Sequence, residues 1–303
     1  MGAGHDHGGG ASRGRLVAAL AITIAVLVAE LAGAWITGSL ALLTDAAHMA
    51  TDSAGLLVAL GAATLVRRAA SDRRTWGYLR AEVIAAAAQA LLLLGVAVFV
   101  VVEAIRRIAD APELPPFELL VFASVGLAGN LVALVILSGG RDRSMNLRAA
   151  RLEVLADAFG SVAVIVAGIV IATTGFVAAD TIAAILIGVV IVPRAVRLLR
   201  EAMSVLLEST PKGLDLASIR AHLEAVPHVR SVHDLHASRI ASDLPVLSAH
   251  VVVDDECFRD GHAPEILAEL QACVASHFPV AIEHSTFQLE PASHADSEHA
   301  SHR

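Results

Sequence analysis

Six stretches of the chain are almost continuously apolar, and most of them are about twenty residues long. A helix rises about 1.5 Å per residue, so about 20 apolar residues cross about 30 Å of hydrocarbon. The pattern therefore predicts six transmembrane helices, the sixth of which continues as an amphipathic arm carrying Arg194, Arg197 and Arg200. The stretches cover residues 16–36, 40–66, 83–102, 119–138, 152–172 and 176–193.

The pattern changes after the sixth stretch to that of a small soluble domain. Asp215 can cap one helix, which Pro227 ends, and Pro264 opens a second helix. Strand-like runs cover residues 229–240, 246–253 and 280–289. The order helix, strand, strand, helix, strand predicts a two-layer α+β domain.

These changes in pattern set the predicted domain boundaries. We expect a transmembrane domain over 15–208 and a soluble domain over 209–290. Residues 1–14 form an N-terminal tail that contains His5 and His7, and residues 291–303 are predicted to be a histidine-rich, disordered tail.

Composition places the chain among integral membrane proteins. Apolar residues make up 56% of it and charged residues 17%, whereas soluble domains have about 25% charged residues. An ordinary soluble enzyme is therefore an unlikely class. The whole formal charge of −8 falls within residues 209–303, and so acidic a domain is not expected to bind nucleic acid.

Arginine placement predicts the orientation in the membrane. If the N-terminus is cytoplasmic, 14 of the 16 arginines in residues 1–208 lie on the cytoplasmic side, and Arg106 and Arg107 lie outside. Positive residues are enriched on the cytoplasmic side of membrane proteins. We therefore expect a multi-pass protein of the inner (plasma) membrane with both termini in the cytoplasm.

Two apolar stretches carry ionisable pairs at helical spacing. His48 and Asp52 are four residues apart on the second, and Glu153 and Asp157 are four residues apart on the fifth. Residues at this spacing share a helix face, which Asp45 also joins. Ionisable groups within a span cost at least about 2.5–3.5 kcal/mol each on insertion scales. The pairs predict a cation site, although a purely structural polar contact between the two helices is an alternative.

The ligand types suggest which ion this site takes. One imidazole nitrogen with carboxylate oxygens suits a borderline divalent metal such as Zn²⁺. The same groups bind protons, which metal binding must displace. A site that exchanges one cation for another is typical of transport.

Four sequence runs resemble those of the cation diffusion facilitator family, in its bacterial zinc, cadmium and cobalt efflux branch. They are TGSLALLTDAAHM at 37–49, GYLRAE at 77–82, DAFGS at 157–161 and VHDLH at 232–236. The resemblance implies a homodimer of six-span subunits with a cytoplasmic, metallochaperone-like domain. It also implies export of a divalent metal by proton antiport, with no prosthetic group. The family's transport ligands correspond to His48, Asp52, Glu153 and Asp157.

Glu153 departs from the zinc branch of this family, which usually has histidine there. Three carboxylates leave a bound divalent ion with about one excess negative charge, and they favour harder metals. Zinc is the expected cargo, with cadmium, cobalt, manganese and iron as alternatives. We expect Glu153→His to retain transport and to shift preference toward zinc.

Histidines of the soluble domain form a second candidate metal site. His233, His250 and His284 fall on the three predicted strands. They correspond to positions where some family members bind regulatory metal, with His262 as a possible fourth ligand. Ordinary surface histidines are the alternative interpretation.

Three other functions compete with metal export. A membrane metal sensor or scaffold without transport would have the same ligands, and an organic-solute transporter would show no metal dependence. An intramembrane metalloenzyme would need a general base beside the metal, as the HExxH motif supplies, and the sequence lacks that motif. We therefore do not expect an enzyme.

Overall fold

The computed structural model describes residues 8–66, 68–109, 112–138, 145–241 and 244–295. Five of its long helices are long and apolar enough to cross a membrane. The helix with 27 residues that carries His48 and Asp52 completes the predicted six-helix transmembrane domain. The six helices are α1 Gly8–Thr37, α2 Leu40–Val66, α3 Arg80–Ala109, α4 Pro116–Ser138, α5 Met145–Thr174 and α6 Ala178–Leu206.

Two helices extend further than the apolar pattern indicates. Helix α1 begins at Gly8, inside the predicted tail. His5 and His7 lie outside the described residues. Helix α6 runs unbroken through Pro193 to Leu206, so the predicted arginine arm is part of the sixth helix.

The first compact unit contains residues 1–58 and 88–199. Its apolar core includes Leu40, Leu42, Leu93 and Leu119, all of which are almost completely buried. Many other apolar side chains of these helices point outward, as expected for helices that face lipid. Val135, Val190 and Phe159 are among the most exposed of them.

The second compact unit contains residues 59–87 and 200–303. Its three strands form one mixed sheet in the order β1-β2-β3, with β1 antiparallel and β3 parallel to β2. The predicted α+β domain is thus confirmed. Its elements are α7 Leu216–Glu224, β1 Val229–Ala241, β2 Leu244–Val253, α8 Cys257–Asp260, α9 Ala263–Ser276, β3 His284–Pro291 and α10 Ala292–Ala295.

Local signals explain the helices of this domain. The Asp215 carboxylate accepts a hydrogen bond from the Ala217 amide and caps α7, which satisfies an otherwise unpaired donor of the first turn. A proline stands in the first turn of α9, where its missing N–H is harmless. Both helices contribute to one apolar core, in which Ile219, Leu223 and Leu270 are fully buried.

The last strand differs from its predicted bounds at both ends. It begins at His284 instead of residue 280, because Ile282 is buried and donates its backbone N–H to the Val274 carbonyl of α9. The chain therefore packs on the helix before it joins the sheet. Residues 291–295, predicted as tail, form the strand end and the short helix α10. His299 and His302 lie outside the described residues.

The connection between α2 and α3 belongs to the second compact unit. Arg80 Nη2 donates to Glu208 Oε1 at 2.8 Å, and the Trp76 ring lies edge-on to His284 with centroids 4.8 Å apart. The predicted boundaries assigned residues 59–87 to the transmembrane domain. Those boundaries remain a prediction.

Candidate metal centres

The predicted pair on α2 faces the interior of the helix bundle. His48 Nε2 lies 3.6 Å from Asp52 Oδ2, as the four-residue spacing on one helix requires. Both side chains are buried. His48 Nδ1 makes no hydrogen bond to the described residues, so this nitrogen can offer a lone pair to a bound cation.

The pair on α5 meets the pair on α2. Glu153 and Asp157 interact electrostatically with Asp52 and with each other. Asp157 is buried, whereas the Glu153 side chain is 29% exposed. The structure thus brings His48, Asp52, Glu153 and Asp157 together, and we call these four residues the membrane quartet. Their role as ligands remains a prediction.

Arg194 of α6 lies against two members of the membrane quartet. Its Nη2 is 3.1 Å from Glu153 Oε1, and its Nη1 is 3.5 Å from Asp52 Oδ2. The guanidinium therefore connects α2, α5 and α6. The sequence had suggested only that Arg194 belongs to an amphipathic arm.

Gln89 of α3 supports the α2 carboxylate from another side. Its Nε2 donates to Asp52 Oδ1 at 3.4 Å. A Cβ atom at Gly55 would overlap the Gln89 amide, so the glycine allows α3 to bring this amide close to α2. Hydrogen bonds of this kind orient metal ligands.

A second set of buried polar groups lies next to the membrane quartet. The Ser161 hydroxyl is 3.5 Å from Glu30 Oε1 and 3.5 Å from Asn130 Nδ2, and Asp45 interacts electrostatically with Glu30. We call Glu30, Asp45, Asn130 and Ser161 the buried polar cluster. Asp45, predicted as an accessory metal residue, thus contacts this cluster.

Two glycines make room for the acids of the buried polar cluster. A Cβ atom at Gly126 of α4 would overlap Glu30 Oε1, and one at Gly160 of α5 would overlap Asp45 Oδ1. Small residues let helices in membranes approach closely. Here they let the side chains of α1 and α2 lie directly on the backbones of α4 and α5.

Asp180 of α6 fixes the beginning of α2. Its carboxylate accepts hydrogen bonds from the Ser39 hydroxyl and from the amides of Leu40 and Ala41, at 2.7 Å for Leu40. Arg107 of α3 lies 3.5 Å from the same carboxylate. A negative group at a helix N-terminus satisfies free amides and matches the helix dipole, so Asp180 stabilises the helix that carries His48 and Asp52.

In the soluble domain, a histidine pair shares one buried carboxylate. His233 and His250 are paired across β1 and β2, with ring centroids 5.3 Å apart. Glu290 Oε1 lies 2.7 Å from His250 Nδ1, and Glu290 Oε2 lies 3.6 Å from His233 Nε2. One ligand atom from each residue lies within 4.8 Å of the others. We call these three residues the cytoplasmic cluster.

The backbone is irregular where it presents His233. Asp234 has a φ of 47°, and the β1–β2 register shifts between His233 and His236. Aspartate tolerates this left-handed conformation better than most residues. Bulges redirect side chains in a sheet, and here the Asp234 carboxylate lies 3.9 Å from His250 Nε2.

The other two predicted histidines lie elsewhere in the domain. His284 packs against Trp76. His262 Nδ1 is 2.8 Å from Asp260 Oδ2, and this hydrogen-bonded carboxylate raises the pKa of His262. Within the described residues, therefore, only His233 and His250 of the four predicted histidines share a compact set of ligand atoms.

Family models match almost the whole chain. A model described as "Cation efflux transmembrane domain" matches residues 16–207, and one described as "Cation efflux protein, cytoplasmic domain" matches residues 211–292.

The chain belongs to the cation efflux family.

Three relatives from bacteria illustrate the similarity. "Metal cation efflux system protein CzcD" of Cupriavidus metallidurans is 42% identical, over 98% of this chain and 93% of the relative. "Cadmium, cobalt and zinc/H(+)-K(+) antiporter" of Bacillus velezensis is 34% identical, over 97% and 93%. "Zinc transporter ZitB" of Escherichia coli is 36% identical, over 91% and 87%.

Membership in the cation efflux family confirms several sequence predictions. The chain is a multi-pass inner-membrane protein with a cytoplasmic C-terminal domain, and it forms a homodimer. The family is one of transporters. The resemblance to cation diffusion facilitators is confirmed as well.

Two residues of this cation efflux protein were missed as parts of the candidate sites. The sequence analysis gave Glu290 no role, because this residue lies one position beyond the predicted last strand. In the structure it is two positions from Gln288, the β3 partner of His250. Residues two positions apart on a strand point to the same face, and this spacing was the signal that could have placed Glu290 near His250. Arg194 gave no local signal, because its proximity to Glu153 depends on how α5 and α6 pack.

Proposed function

We propose that this protein exports divalent transition-metal cations from the cytoplasm in exchange for protons, with zinc as the principal cargo. Its family supports cation efflux, and two of the relatives above are named for zinc. The antiporter of Bacillus velezensis supports coupling to protons. Manganese, iron, cobalt and cadmium are the cargoes against which zinc is to be tested.

The observation that carries this proposal is the convergence of two ionisable pairs from different helices. Among the described residues, His48 Nδ1 and Asp157 Oδ1 are buried and make no hydrogen bond. A buried polar atom without a partner is destabilising by about 1–3 kcal/mol. A divalent cation would satisfy several such atoms at once, and its binding would displace protons from the same groups.

Transport fits this arrangement better than catalysis or sensing does. The membrane quartet offers an imidazole and carboxylates from two helices, and the sequence lacks the HExxH motif of a metalloprotease. Helices that can move relative to each other can also change the access to a site between them. The protein therefore acts as a carrier of the ion and not as an enzyme that uses it.

The cytoplasmic cluster supplies a separate, regulatory metal site in this proposal. Two imidazoles and one carboxylate are a typical ligand set for zinc. Glu290 takes the place that the sequence assigned to His284 and His262. The transmembrane domain over 15–208 then carries the ion, and the domain over 209–290 responds to its concentration.

Inside-out membrane vesicles test the export function directly. Their outer face is the cytoplasmic face, so export appears as uptake. We expect zinc uptake to require an acidic vesicle interior and to stop when the pH gradient is dissipated by an ionophore. Metal binding without uptake would instead identify a sensor or scaffold.

A further inference from the structure

The membrane quartet can carry more negative charge than a divalent ion neutralises. With His48 neutral and Asp52, Glu153 and Asp157 ionised, a divalent ion leaves one excess negative charge. An uncompensated charge within a membrane domain is strongly unfavourable. A fixed positive charge of the protein beside the site would remove the excess.

Arg194 is placed to provide that charge. Its two terminal nitrogens face Glu153 Oε1 at 3.1 Å and Asp52 Oδ2 at 3.5 Å. A guanidinium stays protonated in proteins and offers its donors in a rigid planar fork. The positive charge is therefore permanent, and its position is set by two carboxylates on different helices.

The exposed fractions of the side chains show where the Arg194 guanidinium lies relative to Asp52. The Arg194 side chain is 51% exposed, whereas that of Asp52 is 7% exposed. The guanidinium thus lies at the exposed edge of the quartet, and the Asp52 carboxylate lies inside it. A ligand bound among the buried atoms of His48 and Asp157 would lie behind it.

We propose that Glu153 and Arg194 form a neutral ion pair that takes the place of a neutral histidine in the metal site. This inference rests on the proposed transport function of the quartet. Arg194 is a positioning residue, which orients the Glu153 carboxylate and balances its charge. The remaining charges of Asp52 and Asp157 then match those of a divalent ion.

The ion pair changes what is expected of substitutions at Glu153. The sequence alone predicted that Glu153→His would retain transport. With Arg194 in place, that variant leaves an unpaired guanidinium next to the ion and repels it. Arg194→Gln has the opposite effect, because it leaves three carboxylates to attract the ion and slow its release. The double variant restores the charge balance.

Zinc binding by the purified full-length protein tests this charge cancellation. The background carries His233→Ala and His250→Ala, so that the cytoplasmic cluster does not contribute. We expect the Kd for Zn²⁺, measured against a chelating dye at fixed pH, to fall about tenfold in Arg194→Gln and to rise about tenfold in Glu153→His, as one partly screened charge near the ion implies. The double variant should lie within about threefold of the background protein, and Arg194→Lys should stay close to it.

The same variants in proteoliposomes separate charge balance from a structural role. We expect the KM for zinc to move in opposite directions in the two single variants and to return in the double variant. The proposal would be overturned if both single variants changed the Kd in the same direction. It would also be overturned if the Kd of the double variant were no closer to the background value than that of either single variant. An Arg194→Lys protein that behaves like Arg194→Gln would overturn it as well. If the Kd shifts cancel in the double variant but neither the wild type nor any variant transports zinc, the ion pair is supported and the export function is contradicted.

Discussion

The membrane quartet and the cytoplasmic cluster use similar side chains on different supports. The quartet joins two helices, and within each pair the ligands are four residues apart on one helix. The cytoplasmic cluster joins neighbouring strands of one hydrogen-bonded sheet. Moving the quartet's ligands apart requires only that helices shift, whereas moving the cluster's ligands apart requires breaking a ladder of backbone hydrogen bonds.

If both sites bind metal as proposed, this difference predicts that the membrane quartet releases its ion more readily than the cytoplasmic cluster does. Packed helices slide or tilt in known conformational transitions, whereas strands in a sheet keep their register. Arg194 also lies beside the quartet, and in our proposal this cation limits how tightly the quartet holds a metal. Reversible binding suits transport, and tight binding on a rigid sheet suits regulation.

Removing a predicted ligand of the membrane quartet should have the largest effect, and this effect should fall on zinc transport. Asp157→Asn keeps the side-chain shape and removes a buried negative charge. We expect zinc uptake by inside-out vesicles to fall to background, a loss larger than the roughly 10–100-fold typical of residues that only support a ligand. His284→Ala is the matched control, because His284 lies outside both clusters. Uptake at wild-type rate in Asp157→Asn would show that the transport site is elsewhere.

Removing the histidines of the cytoplasmic cluster should have an intermediate effect, which falls on the number of bound zinc ions and not on the ability to transport zinc. In His233→Ala/His250→Ala we expect fewer zinc ions bound per full-length chain, since two of three ligands are lost. Transport should remain measurable, because the quartet is intact. Equilibrium dialysis gives the stoichiometry, and vesicle uptake gives the rate. An unchanged stoichiometry would mean that these histidines are ordinary surface residues.

A single methyl group should disturb the surroundings of the quartet. Gly160→Ala places a Cβ atom on the Asp45 carboxylate, and overpacking typically destabilises by about 1–3 kcal/mol. We expect lower thermal stability and slower zinc uptake. Gly188→Ala serves as the control, since no atom lies within 4 Å of a Cβ built there. Equal thermal stability and equal zinc uptake in Gly160→Ala and Gly188→Ala would contradict the close packing of α2 on α5.

The smallest effect is expected at His262, which was predicted as a ligand but is paired with Asp260. Because this pair raises the pKa of His262 in the folded protein, its stabilisation is fully present below the unfolded value of about 6.5. It is lost as the pH rises through the folded pKa. His262→Gln should therefore lower the unfolding temperature slightly at pH 5.5 and not at pH 8.5. Its zinc stoichiometry should equal that of the wild type, and a lower one would restore His262 as a ligand.

Much of this architecture could be predicted from local patterns. The spacing of His48 and Asp52 fixes their shared helix face, and apolar length fixes the spans, because both depend on helix geometry alone. The helix and strand order of the cytoplasmic domain followed from capping residues, prolines and alternation. The strand ends were less accurate, since the packing of Ile282 on α9 decides where β3 begins.

Partners from distant parts of the sequence could not be predicted in this way. Arg194 and Glu153 lie on different helices, and only the packing of α5 on α6 brings them together. Likewise, Glu290 and not His284 approaches His250, because the register of β3 against β2 decides which side chain is near. Periodicity determines the face of an element, but the register and packing of elements determine its neighbours.

The Asp180 carboxylate also defines a pivot for α2. It holds the amides of Leu40 and Ala41 and lies next to Arg107, so the first turn of α2 is tied to α6 and α3. At about 1.5 Å per residue, His48 lies about 12 Å and Asp52 about 18 Å along the helix from Leu40. Any tilt of α2 that keeps this attachment displaces Asp52 about one and a half times as far as His48. The carboxylate of the pair would then separate from the ion before the imidazole does.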